Sequence, residues 1–470
     1  MSNEHKHKKR RIPPVIKFLF SIATIGLLLY LAGFAFRYCL GLFIADEDYL
    51  LQLPGKGSPI VEVAPKPGSQ NTGDPDSVYQ TGRATILAAG DIMTHMPIVN
   101  SGKTADGYDF SSIFAYTRPY VTGADYAVVN LETTLSGTDG GKKYTGYPDF
   151  NAPDAIVSGA SKAGFDMMLT ANNRCYDYGT VGMLRTLETV RAAGLDTLGT
   201  NIAVEENKYV VKDLNGVKVG MLSYTFADIT TDRNTPTIDG TQVDSKAAGL
   251  INVFDYGSLE LFYSEIENHL SAMKAAGADA VVLYLHWGDE FNVKPSNSQK
   301  AMAQKLCDMG VDVIIGSHPH VVQPLEVLTS TDGNNQTVCL YSMGNFLSNQ
   351  RADNIALTTG HSEDGLMFRF TLVKYSDGKV YVENLELIPT WVLIRGTGDN
   401  KTYSILPLDE SIGDWKDAYS LSNTQYSDAK KSLERTKALV DSSLKAAQEL
   451  LAQQLSGRAP SGGDFVGGVG

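Results

Sequence analysis

The residues of this chain best suited to chemistry stand at the ends of short apolar runs. Ile86-Leu87-Ala88-Ala89-Gly90 stops on Asp91, and Tyr126-Ala127-Val128-Val129 stops on Asn130-Leu131-Glu132. Met167-Met168-Leu169-Thr170-Ala171 stops on Asn172-Asn173. Val281-Val282-Leu283-Tyr284-Leu285 stops on His286, and Val313-Ile314-Ile315-Gly316-Ser317 on His318-Pro319-His320. Such runs read as buried strands. In open α/β sheets, ligands gather just beyond the carboxyl ends of the strands. Carboxylates, amides and imidazoles delivered to one rim form a hard-to-borderline donor set, free of thiolate. That set suits Mn, Fe, Zn, Mg or Ca. There are enough ligands for two ions, and two ions about 3.5–4 Å apart polarise a phosphoryl group and activate a bridging water.

Taken singly, each of these residues has a plainer reading. An isolated His-x-His is often a pair of loop histidines. Asp91 after Gly90 also fits a turn or a helix N-cap, and Asn172-Asn173 also fits turn chemistry. Their joint placement outweighs these readings. Pro319 fixes the turn between His318 and His320. Asp177 lies four residues after Asn173 and Glu290 four after His286, where each can orient an imidazole or a substrate group. Trp287 reads as core. Ser342-Met343-Gly344-Asn345-Phe346 is a strand-to-loop turn that reaches the same rim.

Positioning these residues needs alternating strands and helices, which indicates an α/β domain. Helices are expected over 178–193, ending at Gly194, over 257–275, and over 298–309, stopped by Gly310. Thr197 to Asn201 and Thr337 to Ser342 read as strands. Tyr209 to Thr225 reads as a hairpin turning at Asn215-Gly216. Leu366 to Lys374 and Lys379 to Leu387 read as another, so late strands pair antiparallel in a mixed sheet or two stacked sheets. Residues 406–456 form a C-terminal helical segment, helix-forming from 427, that packs on the domain or stands as an arm. Residues 457–470 read as a disordered Gly- and Ser-rich tail.

The 470 residues allow two or three units, and the 43% hydrophobic content allows a real core. The net charge of −13 argues against nucleic acid as a partner. A basic stretch at 1–17 contains Lys6, Lys8, Lys9, Arg10, Arg11 and Lys17. It precedes an uncharged, largely apolar stretch from Phe18 to Phe36, long enough to span a bilayer. Residues 18–40 therefore read as a single transmembrane anchor. Its basic flank stays in the cytoplasm and the rest lies outside the cell membrane. A cleaved signal peptide is the alternative reading, although no clear small-x-small site follows. Residues 41–82 are a Pro- and Gly-rich linker, and residues 83–405 form the main domain. Cys175, Cys307 and Cys339 read as buried small hydrophobes rather than a disulfide scaffold.

The ordered motifs GDIM at 90–93, NLE at 130–132, ANNRCYDYG at 171–179, HWGDE at 286–290, SHPHVVQ at 317–323 and SMGNF at 342–346 resemble the CapA family of poly-γ-glutamate capsule biosynthesis proteins. That family belongs with the calcineurin-like metallophosphoesterases. The resemblance covers roughly residues 84–395. It implies a four-layer αββα sandwich and metal binding, by two divalent ions, at Asp91, Glu132, Asn173, His286, His318 and His320. It implies catalytic roles for His286 and for residue 174. His95, Asn130, Asn172, Asp177, Glu290 and Asn345 would surround the metal or meet substrate. Two positions depart from the superfamily pattern. Met93 stands where Asp-x-His has its His, with His95 two residues on. Arg174 replaces the His of Asn-Asn-His. Arginine does not donate a proton at neutral pH, but it stabilises negative charge. Three functional expectations follow. The first is a part in synthesis, export or attachment of an anionic surface polymer, alongside other membrane subunits. The second is a surface metallohydrolase cleaving phosphoesters or amide bonds. The third is a non-catalytic scaffold or polymer-binding subunit.

Overall fold

The computed structural model describes residues 78–229 and 235–455. The basic tail, the expected anchor at 18–40, nearly all of the linker and the 457–470 tail lie outside the described residues. Among the described residues, no helix is long and apolar enough to cross a membrane.

The first half alternates strand and helix: β1 (Gln80–Ile92), β2 (Tyr126–Leu131), α1 (Ala155–Ala163), β3 (Met167–Leu169), α2 (Gly179–Ala192) and β4 (Asp196–Leu198). A hairpin of β5 (Tyr209–Leu214) and β6 (Val217–Phe226) follows. Its turn residues Asn215 and Gly216 both have positive φ, as a type I′ hairpin turn requires. Next come β7 (Val253–Phe254), α3 (Leu259–Ala275), β8 (Ala280–His286), α4 (Asn297–Asp308) and β9 (Val313–Ser317). Then β10 (Val322–Thr329), β11 (Gln336–Met343), β12 (Asn345–Leu347), β13 (Asp364–Tyr375), β14 (Val380–Arg395) and β15 (Thr402–Pro407) lead to α5 (Asn423–Leu455).

These strands make two mixed sheets. The first has the order β15-β14-β13-β1-β2-β3-β4, with β12 also paired to β1. Strands β1 to β4 run parallel, and β13 to β15 add antiparallel on the other side. The second has the order β7-β6-β8-β9-β11-β10, with β5 on β6. Its centre, β6, β8, β9 and β11, is parallel.

The apolar runs are continuous because both faces of the central strands are buried. Along β1, Ala84, Ile86 and Ala88 enter one core while Leu87 and Ala89 enter another. Along β8, Val282 and Tyr284 share the first of these cores, and Val281, Leu283 and Leu285 enter a third. The shared core therefore lies between the sheets. The outer face of the first sheet packs on α1 and on Val190 of α2. The outer face of the second packs on Phe262, Ile266 and Met273 of α3 and on Met302, Ala303 and Leu306 of α4. The layers run helix, sheet, sheet, helix. Helix α4 opens with a capping box, Ser296 with Gln299. Helix α5 packs on β10 and β14, and its Val440, Ala447 and Leu451 close the core between the sheets. The three described cysteines are free and buried.

Candidate metal centre

Strand register decides which side chains meet at the rim. Asp91 pairs with Asn130 across β1 and β2, and with Asn345 across β1 and β12. The Asn130 amide accordingly donates to Asp91 Oδ1 at 2.8 Å, and Asn172 Nδ2 donates to Asn130 Oδ1 at 3.1 Å. Gly90 permits this arrangement. A Cβ there would lie 2.0 Å from the carbonyl oxygen of Gly344, the same oxygen that accepts from Asp91 N–H at 3.1 Å. In the second sheet His286 pairs with Ser317, and His286 Nδ1 lies 2.9 Å from Ser317 Oγ.

The two rims converge on Glu132, which is fully buried just past β2. His286 Nε2 lies 3.7 Å from Glu132 Oε1 and 3.0 Å from Asn173 Oδ1. His320 Nε2 lies 3.5 Å from the same Glu132 oxygen, while its Nδ1 lies 3.1 Å from Asp91 Oδ2. The His318 ring centroid is 4.8 Å from that of His286 and 5.9 Å from that of His320. His318 and His320 both adopt positive φ, 94° and 55°, uncommon for residues with a Cβ. Two groups have ligand atoms within 4.8 Å of one another: Asp91, Glu132 and His286, and Glu132, His318 and His320. Glu132 belongs to both.

Electrostatics fits a cation at this point. Burial pushes the Glu132 carboxyl well above the ordinary carboxylate range, against the pull of His320. Among the described residues, neither Glu132 oxygen has a hydrogen-bond partner, and His318 Nδ1 is buried and unpartnered as well. Such orphans are costly unless something else satisfies them. Burial, then neighbouring positive charge, holds His286 and His318 well below the ordinary imidazole range, so both offer lone pairs. Burial also acts to lower His320, but Glu132 and Asp91 outweigh it and hold the ring at about 9. Acids, imidazoles and an amide oxygen at this spacing fit a divalent metal.

The family model for the bacterial capsule synthesis protein PGA_cap matches residues 85–350. The chain belongs to this family. The capsule biosynthesis protein CapA of Bacillus anthracis is 30% identical over 294 residues, 60% of this chain and 64% of that protein. This chain thus spans less than two thirds of that relative's length. The PGA biosynthesis protein CapA of Bacillus subtilis is 29% identical over 308 residues, 63% of this chain and 70% of that protein. Among solved structures, an NAD nucleotidase from Haemophilus influenzae aligns with a TM-score of 0.41 at 13% identity. That alignment covers 79% of this chain and 68% of that one. The calcineurin-like phosphoesterase YfkN from Bacillus subtilis aligns with a TM-score of 0.35 at 17% identity, covering 76% and 98%.

In this PGA_cap protein Arg174 lies beside the cluster rather than in it. Its guanidinium donates to the Pro148 carbonyl at 2.9 Å and pairs with Asp239. It lies 4.0 Å from Asp177 and over the rings of Tyr147 and Phe150. Asp177 accepts from Phe150 N–H at 2.7 Å, so it steadies the Arg174 wall and not an imidazole. Burial raises the Asp177 carboxyl to about 7. His95 Nδ1 accepts from Asn349 N–H at 3.3 Å, and its ring meets Phe150 edge-on. Glu290, Arg174, His95 and His320 line a cavity of about 430 Å³ next to the cluster. Asn345 Nδ2 holds the His320 carbonyl at 3.2 Å. Sequence reasoning missed Ser317, Asp239, Tyr147, Asn349 and Gln350. Ser317 was within reach, since it ends the same run that presents His318.

Proposed function

We propose that this chain is a membrane-anchored, extracytoplasmic metal protein with a metallophosphoesterase-type site. It would take part in synthesis, export or attachment of poly-γ-glutamate or a related anionic surface polymer. The carrying observation is Glu132: fully buried, both oxygens without partners, and within 3.7 Å of the imidazoles of His286 and His320, in a member of a capsule synthesis family. The two ligand groups that share Glu132 support a pair of ions, Mn, Fe, Zn or Mg. A bound divalent metal would supply Lewis acidity toward an acyl or phosphoryl oxygen. Around it Ser317 fixes the His286 ring, Asn130 fixes Asp91, and Arg174 offers a positive charge. The names of the two relatives, a capsule and a PGA biosynthesis protein, support the polymer assignment. The uncharged run behind a basic N-terminus supports the anchor. Partners would be the membrane, the polymer and other membrane subunits of its synthesis.

The test replaces the gene by its Glu132→Gln form and measures surface polymer amount and chain length. A drop in amount or a changed length, at normal protein level, is expected. Unaltered polymer rejects the reading. The cavity beside the cluster supports a second reading, a surface metallohydrolase of phosphoesters or amide bonds. It predicts turnover of a phosphodiester or a γ-glutamyl amide with Mn²⁺ that His318→Ala abolishes.

A further inference from the structure

The cavity beside the metal centre has an uneven wall. Arg174 lines it with a buried Nε that has no hydrogen-bond partner. Asn349 and Gln350 line it from the loop after β12. Tyr403 O–H donates to Asn349 Oδ1 at 2.6 Å, and Asn345 Nδ2 donates to Gln350 Oε1 at 2.9 Å. Asn345 Nδ2 also faces the carbonyls of His320 and Ser362, which fixes it as the nitrogen and the Gln350 atom opposite as the oxygen. Each of these oxygens already accepts one hydrogen bond, and the NH2 group of each amide remains to donate. His95 accepts at Nδ1 from Asn349 N–H, so its neutral ring carries its proton on Nε2. Asn354 is spent within its own turn, donating to the Asn349 carbonyl and accepting from Arg351 N–H. Arg174, Asn349 and Gln350 thus give the cavity a donor wall, whereas the His95 N–H faces the Met93 carbonyl. Glu290 is the carboxylate among its lining residues.

We propose that this donor wall is a carboxylate-reading subsite. It would take the free carboxylate of an acidic polymer repeat next to the one held at the metal centre, with Glu290 accepting from that repeat's amide N–H. Asn349 and Gln350 are its specificity-determining residues. This rests on the reading of the site as one that handles an acidic polymer. A carboxylate in such a place gains charge-assisted hydrogen bonds that a neutral amide of the same shape does not.

The test uses the full-length protein in detergent micelles and the conservative changes Gln350→Glu and Asn349→Asp. Each keeps the oxygen that accepts from Asn345 or Tyr403 and replaces the amide NH2 by a charged oxygen. Calorimetry measures binding of a γ-linked oligoglutamate, its neutral oligoglutamine counterpart, glutarate and inorganic phosphate. Either variant should weaken oligoglutamate and glutarate by about 10-fold or more. Oligoglutamine, phosphate, metal content and thermal midpoint should stay unchanged. Equal weakening of oligoglutamate and oligoglutamine, parallel weakening of phosphate, or no change at all overturns the subsite. Wild-type binding of glutarate but not oligoglutamate, still lost in Gln350→Glu, keeps the subsite and removes the polymer reading. Wild-type binding of neither removes both.

Discussion

Two buried carboxylates in this molecule are treated in opposite ways. Asp364, at the start of β13, is 1% exposed and fully paired. Its Oδ1 accepts from Ser432 at 2.6 Å and from Arg435 Nη2 at 2.7 Å, and its Oδ2 from Arg435 Nε at 2.8 Å. Glu132, at the rim between the sheets, is 0% exposed and has no hydrogen-bond partner on either oxygen. Both carboxyls are removed from water, and only one is hydrogen-bonded by the chain itself. Asp364 ties helix α5 to the first sheet, which is a structural task the chain completes alone. Glu132 is surrounded by imidazoles in place of donors from Arg or backbone N–H. The chain offers it the charge of His320 at 3.5 Å but no hydrogen bond, which leaves a place for a cation.

If the contrast is sound, the two acids fail differently when changed. Glu132→Gln removes the shared ligand of both candidate metal groups. Mn²⁺ affinity should fall by about 100-fold or more, read by calorimetry or by metal content after dialysis, while the fold remains intact. Retained metal would break the comparison. Asp364→Ala should leave metal affinity unchanged. It leaves Arg435 without its counter-charge and cuts the tie to α5, so about 3 kcal/mol of unfolding free energy should be lost, read from urea midpoints. A loss under about 1 kcal/mol would mean that the pair contributes little.

Strand ends were readable because the central strands are buried on both faces, and their apolar runs stop where the side chains reach the rim. Asp91, Glu132, His286, His318 and His320 could all be placed in this way, and the helices at 178–193 and 298–309 were bounded by Gly194 and Gly310. Register was not readable, because it pairs residues far apart in the chain. Ser317 beside His286 and Asn345 beside Asp91 depend on it. Helix α1, nine residues that bury Ile156, Val157, Gly159, Ala160 and Ala163, was not placed from the sequence. Asp239 lies in a short hairpin turn with positive φ, 65 residues from the Arg174 it meets, and no local pattern marks it. The clamp of Asp364 by Arg435 spans 71 residues. One consequence of register is measurable. Ser317→Ala should loosen the His286 ring and lower Mn²⁺ affinity by about 10-fold, the effect of losing a partner that orients a ligand. An unchanged affinity would show that Asn173 alone holds the ring.

A pH series separates full pairing from stabilisation. Asp364 is paired, yet burial, working against Arg435 and Ser432, still raises its carboxyl from 3.8 to about 6. The folded protein therefore keeps this proton at pH values where the unfolded chain has lost it. Between about 4 and 6 the folded state binds more protons, so the group's contribution to stability falls as pH rises and is flat above. Asparagine carries no such proton. The stability difference, wild type minus Asp364→Asn, should drop by ~1–3 kcal/mol from pH 4 to pH 6.5. Urea unfolding at the two pH values measures it. A difference that grows with pH would mean that Arg435 more than repays the desolvation of Asp364. The paired acid would then be a net source of stability near neutrality, and not a specific tie held at some cost.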